Sequence, residues 1–269
     1  QKISAEAQKE RKAQADQTLT ALGSYWKGRK PLILVRAIVL GSLLPQTDDL
    51  EKDLEVFEKL MAIDDDSFGR REPDLRPWDL AERISLDHPW RFFDWSAPNG
   101  VDATRIAQLS FPLRHHEHPD LTIRWASNVA IADKHRILNY ALEGLSYDQK
   151  LALCERPEKC DPGLLYGPIW EDVNAHLGRF GVSAESHAVL VNQLGILRFG
   201  RRPLIGDAFC GGGSVPFEAA RLGCDSYGSD LNPIACMLSW GALNIVGATA
   251  PTRVAVQSAQ DRVAAIVDA

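Results

Sequence analysis

The chain lacks paired cysteines, an excess of basic residues and a long apolar run. Its five cysteines are odd in number and form no Cys-x-x-Cys pair, which excludes a regular disulfide framework and favours a reducing, cytoplasmic setting. The formal net charge is -6, whereas proteins that clamp nucleic-acid phosphates usually carry a basic excess. The most apolar stretch, 31–44, is interrupted by Arg36 and is too short to span a bilayer, so we expect no membrane partner.

What remains is the composition of an ordinary globular protein. Hydrophobic residues make up 45% and charged residues 25% of the 269 positions, enough for one large domain or two small ones. Local patterns predict four regions: a helical N-terminal region at 1–63, an irregular insertion at 64–131, a helical connector at 132–200 and an α/β region at 201–269. The insertion is a possible recognition element.

Helical patterns dominate the first three regions. The run after Pro31 is apolar nearly all round and predicts a buried helix that Pro45 stops. An amphipathic helix should follow, with Asp48 or Asp49 as its cap. The insertion holds four of the seven tryptophans, which predicts a packed region. The predicted helices cover 1–22, 32–44, 48–63, 134–145, 147–154, 169–177 and 184–199.

From Arg202 onward the pattern changes to strand, glycine loop and helix. Short strands are predicted at 203–207 and 225–229, and the helix between them, 215–222, should end at Gly223. Pro233 opens another helix that runs to about residue 246, and a last helix covers 254–269. This order is one βαβ unit and the beginning of the next.

The glycine loop has the features of a nucleotide-like ligand site. Residues 207–214 read Asp-Ala-Phe-Cys-Gly-Gly-Gly-Ser, and residues without a Cβ let the backbone approach a ligand closely. The helix start offers N–H groups to a carboxylate or phosphate. Asp230 follows Gly213 by 17 positions, near the roughly 20 expected for an acid that binds ribose hydroxyls. Two structural alternatives stay open: a plain tight turn, and Asp230 as a cap of the helix at Pro233.

Two ligand classes fit this layout. NAD sites use G-x-G-x-x-G, but the sequence from Gly211 reads G-G-G-S-V-P and lacks the last glycine. The pattern Asp-x-Phe-x-Gly-x-Gly-Ser instead resembles the first motif of amino-methyltransferases, which methylate the exocyclic amine of adenine or cytosine in DNA. The segment 229–235, Ser-Asp-Leu-Asn-Pro-Ile-Ala, is similar to their second motif. Lys30-Pro31-Leu32 before a buried helix resembles the cofactor-binding segment of one circular permutation.

A closer resemblance links the chain to DUF1156 proteins. The segments that carry it are 26–32, 42–45, 169–178 and 206–247. Members of that family are described as adenine-specific DNA methylases, and one branch is associated with phage-defence gene clusters. The resemblance implies an α/β fold with a partial Rossmann-like class I methyltransferase sheet, a large helical N-terminal region and an irregular insertion. It implies S-adenosylmethionine as cofactor.

Carried over residue by residue, the resemblance implies a set of cofactor contacts. Asp207 would fix the methionine amine, Phe209 would pack along the cofactor, and Asp230 would hold the ribose. Ile234 would lie near the adenine, and Arg29 and Lys30 would reach the cofactor carboxylate. The complete set of expected cofactor-binding residues is Asp207, Phe209, Gly211, Gly213, Ser214, Asp230, Asn232, Ile234, Arg29, Lys30 and Pro31.

The catalytic motif of the resembled enzymes is missing from this sequence. They use an Asp/Asn/Ser-Pro-Pro-Tyr/Phe tetrapeptide that binds and stacks on a flipped base, and the chain contains no Pro-Pro pair. Only 39 residues follow Asp230, too few for the remaining strands of a seven-stranded sheet. We therefore expect the cofactor-binding N-terminal part of an adenine-N6 DNA methyltransferase, inactive alone, with no catalytic residue of its own. Its expected partners are DNA, the remainder of the polypeptide or a second subunit with the motif, and other defence-system proteins. The alternative is a non-catalytic scaffold subunit that binds the cofactor or a nucleotide.

Three further clusters have competing interpretations. Arg198, Arg201 and Arg202 are either DNA-phosphate contacts or a solvated face at a helix C-terminus. Lys27, Arg29 and Lys30 are either the carboxylate-binding segment or a solvated turn. His115, His116 and His118 lie in a predicted loop and are interpreted as polar surface, so no metal site is expected. Cys210, Cys224 and Cys236 are interpreted as small core residues.

Overall fold

The computed structural model describes residues 1–13, 30–97, 100 and 102–267. It is a mixed structure, mostly helical with two small sheets, and confirms the expectation of helices and strands in one chain. The chain forms two compact units, one of residues 1–61 with 167–269 and one of residues 62–166. The second unit contains the whole predicted insertion and also helices that the sequence analysis assigned to the connector.

The helices of the first half are, in chain order, α1 (Lys2–Lys12), α2 (Leu32–Leu43), α3 (Leu50–Met61), α4 (Pro77–Arg83), α5 (Ala103–Gln108), α6 (Ile131–Leu142) and α7 (Tyr147–Leu153). Those of the second half are α8 (Pro162–Tyr166), α9 (Trp170–Leu177), α10 (His187–Phe199), α11 (Ser214–Arg221), α12 (Pro233–Gly241) and α13 (Ala250–Val267). The strands are β1 (Phe93–Ser96), β2 (Thr122–Trp125), β3 (Leu204–Asp207) and β4 (Asp225–Gly228). A five-residue π-helical stretch, Ala242–Val246, continues α12.

The buried helix predicted after Pro31 is confirmed. Most residues of α2 are buried, and Ile38 is an exception at 61% exposure. Asp49 caps α3, since its carboxylate accepts a hydrogen bond from the Lys52 N–H at 2.9 Å. The first predicted helix is not continuous, because α1 ends at Lys12 and Ala13 has an extended backbone. Residues 14–22 of that prediction lie outside the described residues.

The unit of residues 62–166 has its own hydrophobic core. Strands β1 and β2 pair antiparallel, with Phe93 opposite Trp125, and their rings stack with centroids 4.6 Å apart. Trp78, Trp95 and Trp125 pack against this core, which confirms that the tryptophan-rich stretch is packed. Trp78 also donates its indole N–H to the Leu121 carbonyl at 3.2 Å. The predicted helix at 134–145 begins three residues earlier, at Ile131.

The βαβ unit predicted from 203 onward is confirmed. β3 pairs parallel with β4, with Leu204 opposite Asp225 and Asp207 opposite Gly228. α11 connects them and contacts both strands. Gly223, with a φ of 94°, lies in the tight turn between α11 and β4, as predicted for a helix C-terminus. Because the strands run in the same direction, their carboxyl ends lie at one edge of the sheet, where ligands bind in open α/β sheets.

Candidate ligand site at the carboxyl ends of β3 and β4

The glycine loop, residues 208–213, connects the carboxyl end of β3 to α11. Three backbone hydrogen bonds fix its shape: Cys210 N–H donates to the Ser229 carbonyl at 2.9 Å, Gly213 N–H to the Cys210 carbonyl at 2.7 Å, and Ser229 N–H to the Asp207 carbonyl at 2.9 Å. The Asp207 carboxylate accepts from the Phe209 N–H at 3.0 Å. The loop is therefore built by the same ladder that pairs the two strands.

Asp230 links the loop to the end of β4. One carboxylate oxygen accepts from the Gly211 N–H at 2.9 Å and the other from the Asn232 N–H at 2.9 Å. These two amides, Asn232 first, hold the pKa of the Asp230 carboxyl below its usual value. Asp230 is thus ionised, and each of its oxygens keeps a lone pair that a ligand hydroxyl can donate to.

The start of α11 lies directly after the loop. Gly213 is the residue before the helix and has a φ of 74°, a left-handed conformation that other residues adopt at a cost. No side chain of the described residues caps α11 at this end. Uncapped N–H groups at a helix start favour a carboxylate or phosphate group.

α12 forms the support beneath the loop. Two of its small residues, Ala235 and Ser239, are buried and lie one turn apart on the same face. The Ser239 hydroxyl lies 3.4 Å from the Cys210 thiol. A Cβ added at Gly213 would come within 2.7 Å of the same hydroxyl. The loop and α12 are therefore in direct contact, with no room for larger side chains.

Apolar side chains stand exposed around the same strand ends. Phe209 is 79% exposed, Leu231 95% and Ile234 59%. Phe209 and Leu231 lie in the loops after β3 and β4, and Ile234 lies in the first turn of α12, whereas a folded chain ordinarily buries residues of this type. The arrangement offers an apolar surface beside an ionised carboxylate and the N–H groups of Ser214 and Val215 at the start of α11.

The remaining predicted cofactor residues have mixed positions. Asn232 caps α12, since its side-chain oxygen accepts from the Ile234 N–H at 3.0 Å, so Asp230 is not the cap of that helix. Ser214, the first residue of α11, is buried. Lys30 is exposed and Pro31 is buried at the start of α2. Arg29 lies outside the described residues, as does Lys27.

The start of α2 binds a carboxylate from the same chain. Glu10 of α1 is 2% exposed, and its two oxygens accept from the N–H groups of Leu32 at 2.9 Å and Ile33 at 3.2 Å. These are the amides next to the Lys30-Pro31 segment that was expected near the cofactor carboxylate. The predicted contact of Lys30 with that carboxylate stays a prediction.

A buried ion pair joins α2 to α11. The Arg36 guanidinium donates to Glu218 at 2.8 Å, and Glu218 is fully buried and also accepts from Arg221 at 2.7 Å. Nearby, His187 of α10 bonds to the Leu60 carbonyl at 2.9 Å. Burial, and secondarily the charge of Arg36, lowers the pKa of His187 to about 4. The N-terminal segment is therefore fastened to the helix that begins at the glycine loop.

The clusters with competing interpretations gain no support as ligand sites. His115, His116 and Glu117 form an exposed 3-10 turn, and the part of the chain that the structure describes holds no group of three or more His, Cys, Asp or Glu able to bind a metal ion. Arg198 donates to the Ser42 carbonyl, and Arg202 lies 3.6 Å from Asp225. Of the three cysteines near the loop, Cys210 and Cys224 are buried and Cys236 is half-buried. Burial raises the pKa of Cys224 to about 11.

Sequence reasoning missed the buried contacts. Arg36 inside an apolar helix was a visible signal, because a charge in a buried stretch needs a partner. Nothing in the sequence pointed to Glu218 as that partner, or to Ser239 as the residue beneath the loop. Both contacts join residues distant in the chain.

Comparison with known families adds one finding. Residues 1–60 match the family model DUF1156, described as a protein of unknown function. The resemblance to DUF1156 is confirmed over that segment, which contains α1, α2 and most of α3. No curated protein and no solved structure matches the chain. No helix in the described part of the chain is long and apolar enough to cross a membrane.

Proposed function

We propose that the chain binds S-adenosylmethionine at the carboxyl ends of β3 and β4, as the cofactor-binding part of a Rossmann-like DNA methyltransferase, with adenine N6 as the methylated atom. The observation that carries the proposal is Asp230. Its ionised carboxylate is bonded to the Gly211 N–H, beside an uncapped helix start and exposed Phe209 and Ile234. A ligand with a ribose, a flat base and a carboxylate matches these three features.

In this proposal each group has a separate task. Asp230 accepts hydrogen bonds from the ribose hydroxyls, and Ile234 lies against the adenine. Asp207 takes the methionine amine, and the N–H groups at the start of α11 take the anionic end of the ligand. NAD is the competing cofactor. It is disfavoured because Pro216 stands where the third glycine of its motif is expected.

Calorimetric titration of the full chain tests cofactor choice. We expect S-adenosylhomocysteine to bind and NAD not to bind. Asp230→Ala removes the charged acceptor of the two hydrogen bonds from the ribose hydroxyls, so it should weaken the binding of S-adenosylhomocysteine by at least about tenfold. Binding of NAD, or of neither ligand, would overturn the proposal.

A matched variant separates the site from general electrostatics. Asp225 lies at the amino end of the same strand, and its carboxylate is 3.6 Å from Arg202 on the surface. Asp225→Ala removes the same charge at the opposite end of β4 and should leave S-adenosylhomocysteine affinity unchanged. Asp230→Asn keeps an acceptor for the Gly211 N–H while removing the charge, so it shows whether loop structure or charge matters.

In this proposal the base-binding motif comes from another polypeptide segment, because the sequence contains no Pro-Pro pair. In the described sheet β3 pairs with β4, and the carbonyl groups of Pro203 and Asp207 accept hydrogen bonds from Asp225 and Ser229. In a parallel pair, every second residue of a strand bonds to the partner strand, so the backbone N–H and C=O groups of Leu204 and Gly206 point away from β4. A cleft of about 600 Å³ lies here between β3 and α2, lined by Ile38 and Leu204 among others. The backbone groups along such a strand edge can pair with another strand, which supports a further strand in this cleft.

We propose that this strand belongs to the remainder of the polypeptide or to a second subunit that carries the Pro-Pro motif. Other defence-system proteins are the expected wider partners, in restriction–modification or phage defence. Residues 62–166 contain 18 Asp and Glu against 13 Lys and Arg, so a DNA-recognition role for this unit would have to rest on local contacts. A binding titration with duplex DNA at two salt concentrations tests that role.

The second candidate is a non-catalytic scaffold that binds the cofactor or a nucleotide. The absence of a Pro-Pro pair from the sequence favours it. Addition of the motif-carrying polypeptide distinguishes the two: methyl transfer to DNA on mixing supports the methyltransferase part, and cofactor binding without transfer in the complete assembly supports the scaffold.

A further inference from the structure

Ser239 of α12 is buried beneath the glycine loop and touches it at two points. Its hydroxyl lies 3.4 Å from the Cys210 thiol, and both residues are buried, Ser239 at 6% and Cys210 at 5% exposure. The second point is Gly213, where an added Cβ would meet the Ser239 hydroxyl at 2.7 Å and its Cα and Cβ at 3.3 Å. The middle and the end of the loop therefore pack against the same side chain.

The small size of the Ser239 side chain determines how closely α12 packs against the glycine loop. Ala235 and Ser239 are its buried residues, one turn apart on the same face. A larger residue at either position would push the loop away from α12, because a close-packed interior has no space to absorb an added methyl group. The loop amides of Gly211 and Gly213, which are bonded to Asp230 and Cys210, would move with it.

We propose that Ser239 is a positioning residue whose small side chain lets the glycine loop pack on α12 in the conformation that admits the ligand. It does not touch the ligand itself. This inference rests on the proposed function, because the loop concerned is the proposed cofactor site. Size is the property that matters, so Ser239→Ala preserves the loop and Ser239→Val displaces it.

Two measurements on the full chain test the proposal. The first is hydrogen–deuterium exchange of the peptide that covers 208–214, which needs no ligand. Ser239→Val should speed exchange at the Gly211 and Gly213 amides by about tenfold or more and leave α4 unchanged, whereas Ser239→Ala should change it by less than about threefold. The second is calorimetric titration with S-adenosylhomocysteine, where we expect the same order of effects.

The controls keep the outcomes separate. Ser258 is exposed on α13, and Ser258→Val repeats the substitution away from the loop and should alter neither measurement. If Ser239→Val does not fold, Ser239→Thr adds a single methyl group at the same place. Unchanged exchange and unchanged affinity in both enlarged variants would overturn the inference. If the wild-type chain does not bind S-adenosylhomocysteine, the proposed function fails, and the exchange data alone decide whether Ser239 holds the loop.

Discussion

Removal of Glu218 should destabilise the first unit more than the removal of a surface charge. Glu218 is fully buried and accepts from Arg36, which is itself 5% exposed. Glu218→Leu leaves the Arg36 guanidinium in that environment without the carboxylate at 2.8 Å. Breaking a buried pair on one side costs about 3–5 kcal/mol, a large part of a typical total stability of about 5–15 kcal/mol.

The assay is urea denaturation together with hydrogen–deuterium exchange. We expect the free energy of unfolding measured at α2 and α11 to fall by about 3 kcal/mol. The amides of α6 should not change, because α6 belongs to the other unit. The double variant Arg36→Met with Glu218→Leu should recover most of the loss, since paired apolar residues can replace a buried ion pair at little cost.

The matched control is Arg221→Ala. Arg221 donates to the same carboxylate at 2.7 Å, but its side chain is 30% exposed, so its loss should cost at most about 1 kcal/mol. The reasoning is refuted if Glu218→Leu costs less than Arg221→Ala, or if the double variant is no more stable than the single one.

Four further outcomes are expected. The pKa of His187 falls from 6.5 to about 4 on folding, so the unfolded chain binds more protons than the folded chain between these pH values. The free energy of unfolding should therefore fall by about 3 kcal/mol as the pH drops from 6.5 to 4. Urea midpoints measured over this pH range check the fall, and His187→Gln, which lacks this titration, is the control. Gly213→Ala places a residue with a Cβ at a left-handed φ of 74°, which costs about 1–2 kcal/mol before the contact with Ser239 is counted. The melting temperature of this variant should drop. Gly241→Ala, where an added Cβ meets nothing within 4 Å, should not lower the melting temperature. Asn232→Ala removes the cap of α12 at about 1 kcal/mol, and a thermal melt should show a loss that Asn232→Asp largely restores. With labelled S-adenosylmethionine and plasmid DNA, the chain alone should transfer no methyl groups, and robust incorporation would contradict that expectation.

Much of the local structure was predictable because it depends on neighbouring residues. Pro31 and Pro45 bracket α2 because proline fixes its own φ, and Gly223 follows the end of α11 because glycine adopts the positive φ that this turn needs. The alternation of apolar strand, glycine run and helix gave the correct βαβ unit for the same reason. Where the prediction erred, at the end of α1, Ala13 has an extended backbone although alanine favours a helix, because intrinsic propensity is only a weak local preference.

For the candidate site, too, local features were predictable from the sequence and long-range contacts were not. The sequence by itself determined which residues could form it: the glycine loop, Asp230 seventeen positions after Gly213, and Asn232. Only the tertiary structure decided that Asp230 bonds to the Gly211 amide, that Glu10 binds the start of α2, and that Arg36 meets Glu218, 182 positions away. Such contacts depend on how segments distant in the chain pack together. The sequence shows that a buried charge needs a partner, but it does not show which residue that partner is.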